Sequence, residues 1–352
     1  MTPSDLLAQT VTAITSLDAD AMRAARERQA ILTKPAGSLG VLEETSVRLA
    51  GITGLCPPPV PQKVAVAVFA ADHGVVASGV TPWPQSVTTS MVENFRAGGA
   101  AVNVLSRQIG ADVTVIDMGM VDDVKEDAVV RVRKVRPGTA DLAHGPAMTR
   151  DEALQALGTG IRIAEELAEA GYELIVTGDM GIGNTTASAC LIAHFTGLPA
   201  AEITGRGTGI DDAMLSHKTT IVAEAVARIA ADADPVEVLA EVGGLEHAGL
   251  AGLILGAAAR NIPVVLDGVI AGSASLVAQA LSPEAVSYCL AGHRSVEPGH
   301  TAALAALGLR PLVELDLRLG EGSGAVLAVP LIRSAAAILA EMATFADAGI
   351  EA

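Results

Sequence analysis

The chain has 352 residues, enough for one large domain or two, and half of them are hydrophobic, so a sizeable core is easily filled. A formal net charge of -17 excludes the basic footprint that a phosphate backbone demands, so nucleic acid is not an expected partner. Aromatic residues make up only 2%, which leaves packing to Ala, Gly, Val and Leu and suits an α/β protein with closely set helices and strands.

Thr2-Pro3-Ser4-Asp5 reads as a helix start, with Thr2 as cap and Pro3 at the first helical position. The helix is expected to reach the region of Ala30, with a break near Ser16-Leu17-Asp18, and to end before Lys34-Pro35-Ala36-Gly37-Ser38-Leu39-Gly40. A second helix, near Leu42 to Gly51, closes at the proline-rich stretch Cys56 to Pro61. Short Val/Ile/Leu runs then alternate with Ala-rich helical segments. The expected strands are Val64 to Phe69, Val113 to Asp117, Leu174 to Thr177, Val264 to Leu266, Ala285 to Leu290 and Val313 to Leu315. Near-continuous apolar strands separated by helices predict a parallel sheet covered on both faces, joined by right-handed crossovers. Arg131 to Pro146 reads as a loop, and Ile332 to Ala346 as a last amphipathic helix that can pack on the N-terminal ones.

Cys56, Cys190 and Cys289 are far apart and form no CxxC pair, so buried free thiols are expected rather than a disulfide or metal framework. The N-terminus shows no basic segment followed by an apolar core. The most apolar region, Ala248 to Leu276, is interrupted by Arg260, Asn261 and Asp267, and its unbroken piece is too short to span a bilayer. A cytoplasmic protein without a membrane partner is the expectation.

The stretch Gly178-Asp179-Met180-Gly181-Ile182-Gly183-Asn184-Thr185-Thr186 lies between the apolar run Leu174-Ile175-Val176 and a helical segment from Ala187. Glycines let backbone N–H groups approach an anion, and the helix N-terminus adds partial positive charge, so the turn is suited to a phosphate group. It matches neither the triphosphate nor the dinucleotide fingerprint, which disfavours a dinucleotide oxidoreductase. A plain capped turn would read the same in isolation. Gly205-Arg206-Gly207-Thr208-Gly209-Ile210-Asp211-Asp212 is a second glycine loop before a helix. Its acidic pair reads better as a helix cap than as a magnesium site, and Lys218 offers a local cation for phosphate.

Ligands of parallel α/β sheets sit beyond the carboxyl ends of the strands. Polar, glycine-bearing motifs follow strand after strand here: Asp72-His73-Gly74 with Gln85 beyond it, the glycine turn, Asp267-Gly268, Gly292-His293-Arg294-Ser295-Val296-Glu297-Pro298-Gly299-His300, and Leu319-Gly320-Glu321-Gly322. Glu321 is the sharpest catalytic candidate, because flanking glycines give its carboxylate room and partial desolvation would raise its pKa toward a general base's. Asp72-His73 reads as a helix cap plus one ligand contact rather than a relay. His293, Glu297 and His300 read as orienting hydrogen bonds, with Pro298 and Gly299 breaking metal-ligand spacing.

In this order and spacing, the motifs resemble those of the nicotinate-nucleotide–dimethylbenzimidazole phosphoribosyltransferases. The match runs from Lys34-Pro35-Ala36-Gly37-Ser38-Leu39-Gly40 through Asp72-His73-Gly74, Gly181-Ile182-Gly183-Asn184-Thr185-Thr186, Gly243-Gly244-Leu245-Glu246 and Asp267-Gly268 to Leu319-Gly320-Glu321-Gly322-Ser323-Gly324-Ala325. The resemblance implies transfer of phosphoribose from nicotinate mononucleotide to 5,6-dimethylbenzimidazole, with no cofactor and no metal. It implies a Rossmann-like parallel sheet flanked by helices (residues 61–330), a small helical domain from both chain ends (1–60 with 331–352), and a homodimer. It places Glu321 as general base, Gln85 and Leu319 at the benzimidazole, and Lys218, Gly181, Gly183, Asn184, Thr185, Thr186 and Gly207 at the phosphate. Asp72, His73, Asp179, Asp267 and His293 complete the expected substrate site. The family pattern Gly-Glu-Met-Gly-Ile-Gly-Asn carries Asp179 in place of its glutamate here, and His247 stands where an apolar residue is expected. A different acceptor (another benzimidazole, a purine or a phenol) and a nucleotide-binding regulator without turnover are the competing readings.

Overall fold

The computed structural model describes residues 1–230 and 232–351. Three helices come first: α1 (Pro3–Ala13), α2 (Ala19–Ile31) and α3 (Val41–Thr53). The expected start is a capping box, in which Thr2 Oγ1 accepts the Asp5 N–H and the Asp5 carboxylate accepts the Thr2 N–H. The expected break falls between α1 and α2, where Asp18 starts the second helix by accepting the Ala21 N–H.

The chain then alternates as foreseen. Strand β1 (Val64–Ala71) leads to α4 (Ser86–Arg96) and α5 (Ala101–Ile109), then β2 (Asp112–Gly119), β3 (Val130–Val132) and α6 (Arg150–Glu169). Strand β4 (Leu174–Met180) is followed by α7 (Asn184–Thr196), α8 (Ala200–Ile203), α9 (Asp212–Ala227), α10 (Pro235–Val242) and α11 (Leu245–Ala258). The last part comprises β5 (Val264–Leu266), α12 (Val269–Leu281), β6 (Cys289–Ala291), α13 (Pro298–Leu307) and α14 (Ser323–Glu341).

The six strands form one sheet in the order β3-β2-β1-β4-β5-β6, and every pairing is parallel. This is the doubly wound order, whose direction reverses between β1 and β4. Both faces are covered, and β1 shows how: Ala65, Ala67, Phe69 and Ala71 enter one core, while Val64, Val66, Val68 and Ala70 enter the other. On the first face α11, buried along its whole length, lies hard against α6. A Cβ on Gly252 would come within 2.0 Å of the Leu157 carbonyl, and one on Gly160 within 1.9 Å of the Gly249 carbonyl. Glycine at these contacts lets the backbones meet, which is how a core this poor in aromatics is filled. The ends of α2, α3 and α14 share a third, smaller cluster around Ala25, Leu32 and Leu339.

Four expectations require correction. Ala285 to Leu290 is mostly a 3-10 turn (Pro283–Tyr288), and the sixth strand is only Cys289–Ala291. Val313 makes a single bridge to His293 rather than a strand. Val130–Val132, at the edge of the expected loop, is a short edge strand. The last helix begins at Ser323, directly after Glu321 and Gly322, and not at Ile332. That helix is the one long and apolar enough to cross a membrane among the described residues, yet Ala325, Val329, Ile332 and Ala336 are buried under the sheet as core.

Candidate active site

The ends of β1 and β4 flank the reversal point, and a cleft of about 270 Å³ opens there. One water needs roughly 10–15 Å³ on this measure, so the cleft has room for a ligand of several rings. Its polar side is built by the turn after β4, where Gly181 and Asn184 lead into α7, and by Thr185, Gly207 and Ser295. Its apolar wall is Trp83, Val87 and Met91 from α4 and the segment before it, facing Met180 and Leu319.

Glu321 lies in the floor and is 5% exposed. Three successive residues, Gly320, Glu321 and Gly322, have φ of 82°, 68° and 96°. Such a conformation costs a glutamate about 1–3 kcal/mol and persists only where neighbours impose it. They do: the Glu321 carbonyl lies so close to Gly178 of β4 that a Cβ there would sit 2.4 Å from it. Glu321 Oε2 is buried with no protein partner. Burial pushes the carboxyl up to about 7, against the pull of the Val102 N–H and with the help of the Asp267 charge. A carboxylate at this value exchanges protons near neutrality.

Asp179 lines the same floor. Its Oδ2 accepts from Asn184 Nδ2 at 3.0 Å, and its Oδ1 has no partner. Burial, then the charges of Asp267 and Glu246, hold it well above the ordinary carboxylate value. The loss of one methylene relative to the family glutamate leaves an acid that is buried and tied to the first residue of α7.

Of the residues expected at the site, Glu321, Asp179, Gly181, Asn184, Thr185, Gly207, His293 and Leu319 reach the cleft wall. The others do not line the cleft, and the structure gives each of them partners within the protein. Lys218 is buried, with Nζ donating to Thr185 Oγ1 at 2.8 Å and to the Gly205 carbonyl at 3.1 Å. Burial lowers it to about 8, opposed by Glu297, so it supports the polar side through Thr185. Gln85 Nε2 donates to the His73 carbonyl at 2.8 Å. Gly183 and Thr186 belong to the cap and first turn of α7. Asp72 Oδ2 accepts the Val121 N–H at 2.8 Å and ties the end of β1 to the segment after β2. Asp267 accepts from Gly322 and Ala325, with both oxygens turned to the start of α14.

His73 is fully buried, and its Nε2 lies 2.6 Å from Glu246 Oε1. The same oxygen lies 3.0 Å from His247 Nδ1, and His247 Nε2 meets Ser188 Oγ at 2.8 Å. Ser188, His247 and Glu246 are connected as a nucleophile, base and acid would be, but all are 0% exposed and none lines the cleft. His73, Glu246 and His247 also stand close enough to share a metal ion. With His73 hydrogen-bonded to Glu246 and His247 Nδ1 close against the same oxygen, the group is a buried polar brace beneath the glycine turn. The unexpected His247 is explained by this partnership. In the segment after β6, Ser295 N donates to His300 Nδ1 at 2.9 Å and Gly207 N to Glu297 Oε1 at 2.9 Å, the orienting bonds anticipated for that loop. Asp211 caps α9 by accepting the Met214 N–H, again as expected.

A phosphoribosyltransferase family model matches residues 14–350. The chain is 56% identical to the nicotinate-nucleotide–dimethylbenzimidazole phosphoribosyltransferase of Salinispora tropica, over 98% of this chain and 99% of that protein. The chain belongs to this phosphoribosyltransferase family. The relative of the same description from Chloroflexus aggregans is 54% identical over 98% of each chain. The crystal structure of the family member from Thermus thermophilus superposes with a TM-score of 0.91 at 47% identity, covering 96% of this chain and all of that one. Membership makes the protein a pentosyl-transferring enzyme on a parallel α/β sheet. The apolar wall is not legible in the sequence, because Trp83, Val87 and Met91 read locally as one face of an ordinary helix and its lead-in.

Proposed function

We propose that the cleft transfers phosphoribose from nicotinate mononucleotide to 5,6-dimethylbenzimidazole, giving α-ribazole 5′-phosphate and nicotinate, with Glu321 as general base. The observation that carries this reading is the buried Glu321 carboxylate, with Oε2 unpaired, set in the floor between a polar glycine-turn side and an apolar wall. The phosphate would lie against the N–H groups at the start of α7, Thr185 and Ser295, with Lys218 behind and Arg318 at the rim. The flat acceptor would lie against Trp83, Met91 and Leu319.

The chemistry needs little more. The C1′–N bond to nicotinate breaks with its electron pair returning to the pyridinium nitrogen, so the leaving group departs neutral at nitrogen and needs no acid. One acceptor nitrogen forms the new bond to C1′ while the other loses its proton to Glu321. Attack on the face opposite nicotinate converts a β-linkage to an α-linkage. Asp179, buried and tied to Asn184, is placed to hydrogen-bond the ribose rather than to act as a second base. Alignment of the two rings supplies much of the rate. The reading includes a helical lobe (1–60 with 331–352) on an α/β body (61–330), a homodimer and a cytoplasmic location, all carried by the resemblance.

The deciding assay is nicotinate release from nicotinate mononucleotide with and without 5,6-dimethylbenzimidazole. Base-dependent release with a new nucleotide product supports the reading. Release with a purine or phenol but not a benzimidazole would change the acceptor, and binding without release would make the protein a regulator.

Two further results are expected. Glu321 acts in its deprotonated form, and burial raises its pKa. At saturating acceptor, kcat/KM for nicotinate mononucleotide should therefore fall on acidification below about 7. A limb lying in the ordinary carboxylate range would show that the base is solvated or is another group. Trp83 is the only tryptophan of the chain and is 47% exposed at the cleft. Titration with 5,6-dimethylbenzimidazole should quench its fluorescence, and Trp83→Leu should raise KM for the base while sparing KM for the donor.

A further inference from the structure

Asp267 follows β5 at the sheet's carboxyl edge and is 1% exposed. Its backbone N–H donates to Thr177 Oγ1 at 3.0 Å, and Thr177 in turn donates to the Val265 carbonyl at 3.2 Å, so the residue is fastened to both β4 and β5. Its side chain reaches across to a segment more than fifty residues later. Oδ2 accepts the Gly322 N–H at 3.1 Å, and Oδ1 accepts the Ala325 N–H at 2.9 Å. These are N-terminal N–H groups of α14, whose own cap residue, Gly322, has no side chain to satisfy them. The Asp267 carboxylate thus performs from another strand the role that a capping Asp performs locally.

The residue just before that cap is Glu321. On its other side its carbonyl presses on Gly178 of β4, so its backbone is held between the ends of β4 and β5 in a conformation it does not favour on its own. His293 packs its ring on Gly324, where a Cβ would meet it at 2.1 Å, and places Nε2 3.4 Å from Asp267 Oδ1. No other side chain among the described residues accepts the Gly322 and Ala325 N–H groups at the start of α14.

We propose that Asp267 is a positioning residue for phosphoribosyl transfer: by accepting the Gly322 and Ala325 N–H groups it fixes the Glu321 turn, and so the direction in which the Glu321 carboxylate meets the acceptor base. The inference rests on Glu321 being the general base. It separates Asp267 from the substrate contacts, since both of its oxygens are committed to the protein. The charged and titratable groups facing Glu321 are Asp267 and Asp179, with His293 beyond Asp267. Of these Asp267 carries charge toward Glu321 and is removed by the test.

Asp267→Asn keeps the volume but turns an N–H₂ toward backbone donors. A displacement near 1 Å costs about 10²-fold in rate, so kcat should fall by ~10²-fold while KM for nicotinate mononucleotide holds. The acid limb of the pH profile should move to lower pH, because the charge that helps raise Glu321 is gone; a merely structural role would not confine the loss to kcat at held KM. Added to Glu321→Gln, Asp267→Asn should cost nothing further, as residues acting through one group are not additive. Quenching of Trp83 by 5,6-dimethylbenzimidazole reports that the cleft is intact in the variant. Should Asp267→Asn not fold, Gly322→Ala disturbs the same turn from the helix side; because the Asp267 charge stays, its readouts are the kcat loss at held KM and the absence of further loss on Glu321→Gln, with the acid limb unmoved. A raised KM with kcat retained, losses that multiply in the double variant, or an unmoved limb in Asp267→Asn overturns the inference while leaving Glu321 as base. Full turnover in Glu321→Gln would instead overturn the base assignment itself.

Discussion

Glu321→Gln should lower turnover by about 10²–10⁴-fold, the usual worth of a positioned general base, and leave the fold intact. Glutamine keeps the shape and the backbone but cannot take a proton from the acceptor. Its effect on stability has a definite sign. Glu321 titrates near 7 in the folded protein, above its ordinary 4.5, so the wild-type protein gives up stability as pH rises through that window. The variant has no such proton to lose, so above pH 7 it should melt no lower than the wild type. Nicotinate release at alkaline pH and a thermal melt together decide the matter. Near-normal release would remove Glu321 from the chemistry, and a collapsed melt would make the loss uninformative about the base.

Glu246→Ala should cost about 3–5 kcal/mol of folding stability, the usual penalty for removing one partner of a buried ionic pair. His73 and His247 would keep buried ring N–H groups with no acceptor, and Ser188 would lose its ordered partner. Burial alone would raise Glu246, but His73 and His247 outweigh it and hold its pKa well below the ordinary value. A depressed carboxylate contributes stability that is present above its unfolded pKa and is lost as pH falls below it. The wild-type protein should therefore lose stability on acidification below about 4.5, and the variant should show a flatter dependence there. Equilibrium denaturation at neutral and acid pH measures both effects. A loss under about 1 kcal/mol would show that the trio does not brace the glycine turn.

These two sites differ in how far they can be read from the chain. Glu321 stands between glycines in a short polar motif, and that local pattern suffices to single it out. The brace cannot be found that way: His73, Ser188 and Glu246 come from three separate parts of the chain, and nothing in their local surroundings links them. The elements show the same contrast. Strands β1, β2, β4 and β5 carry near-continuous apolar runs and are legible. The segment before β6 reads as a strand because Ala285, Val286 and Tyr288 are buried in a 3-10 turn as they would be in a strand, and periodicity over so few residues does not separate the two. The start of α14 reads too late because Gly322-Ser323-Gly324 looks like a turn. Only the distant Asp267 carboxylate makes it a helix N-terminus.

Neighbouring residues alone are enough to specify the α/β class, the covered parallel sheet, the glycine turn into α7, the glutamate between glycines and the family. Apolar runs, caps and turns act over a few bonds, so each of these features is written locally in the chain. Which polar residues face the cleft, and which stand behind it, is settled by the packed fold. Asp72, His73, Lys218 and Asp267 look locally like ligand contacts, yet each is buried and bonded to elements distant in the chain. A buried polar atom goes where a partner satisfies it, and those partners are set by strand order and helix packing rather than by neighbours in sequence.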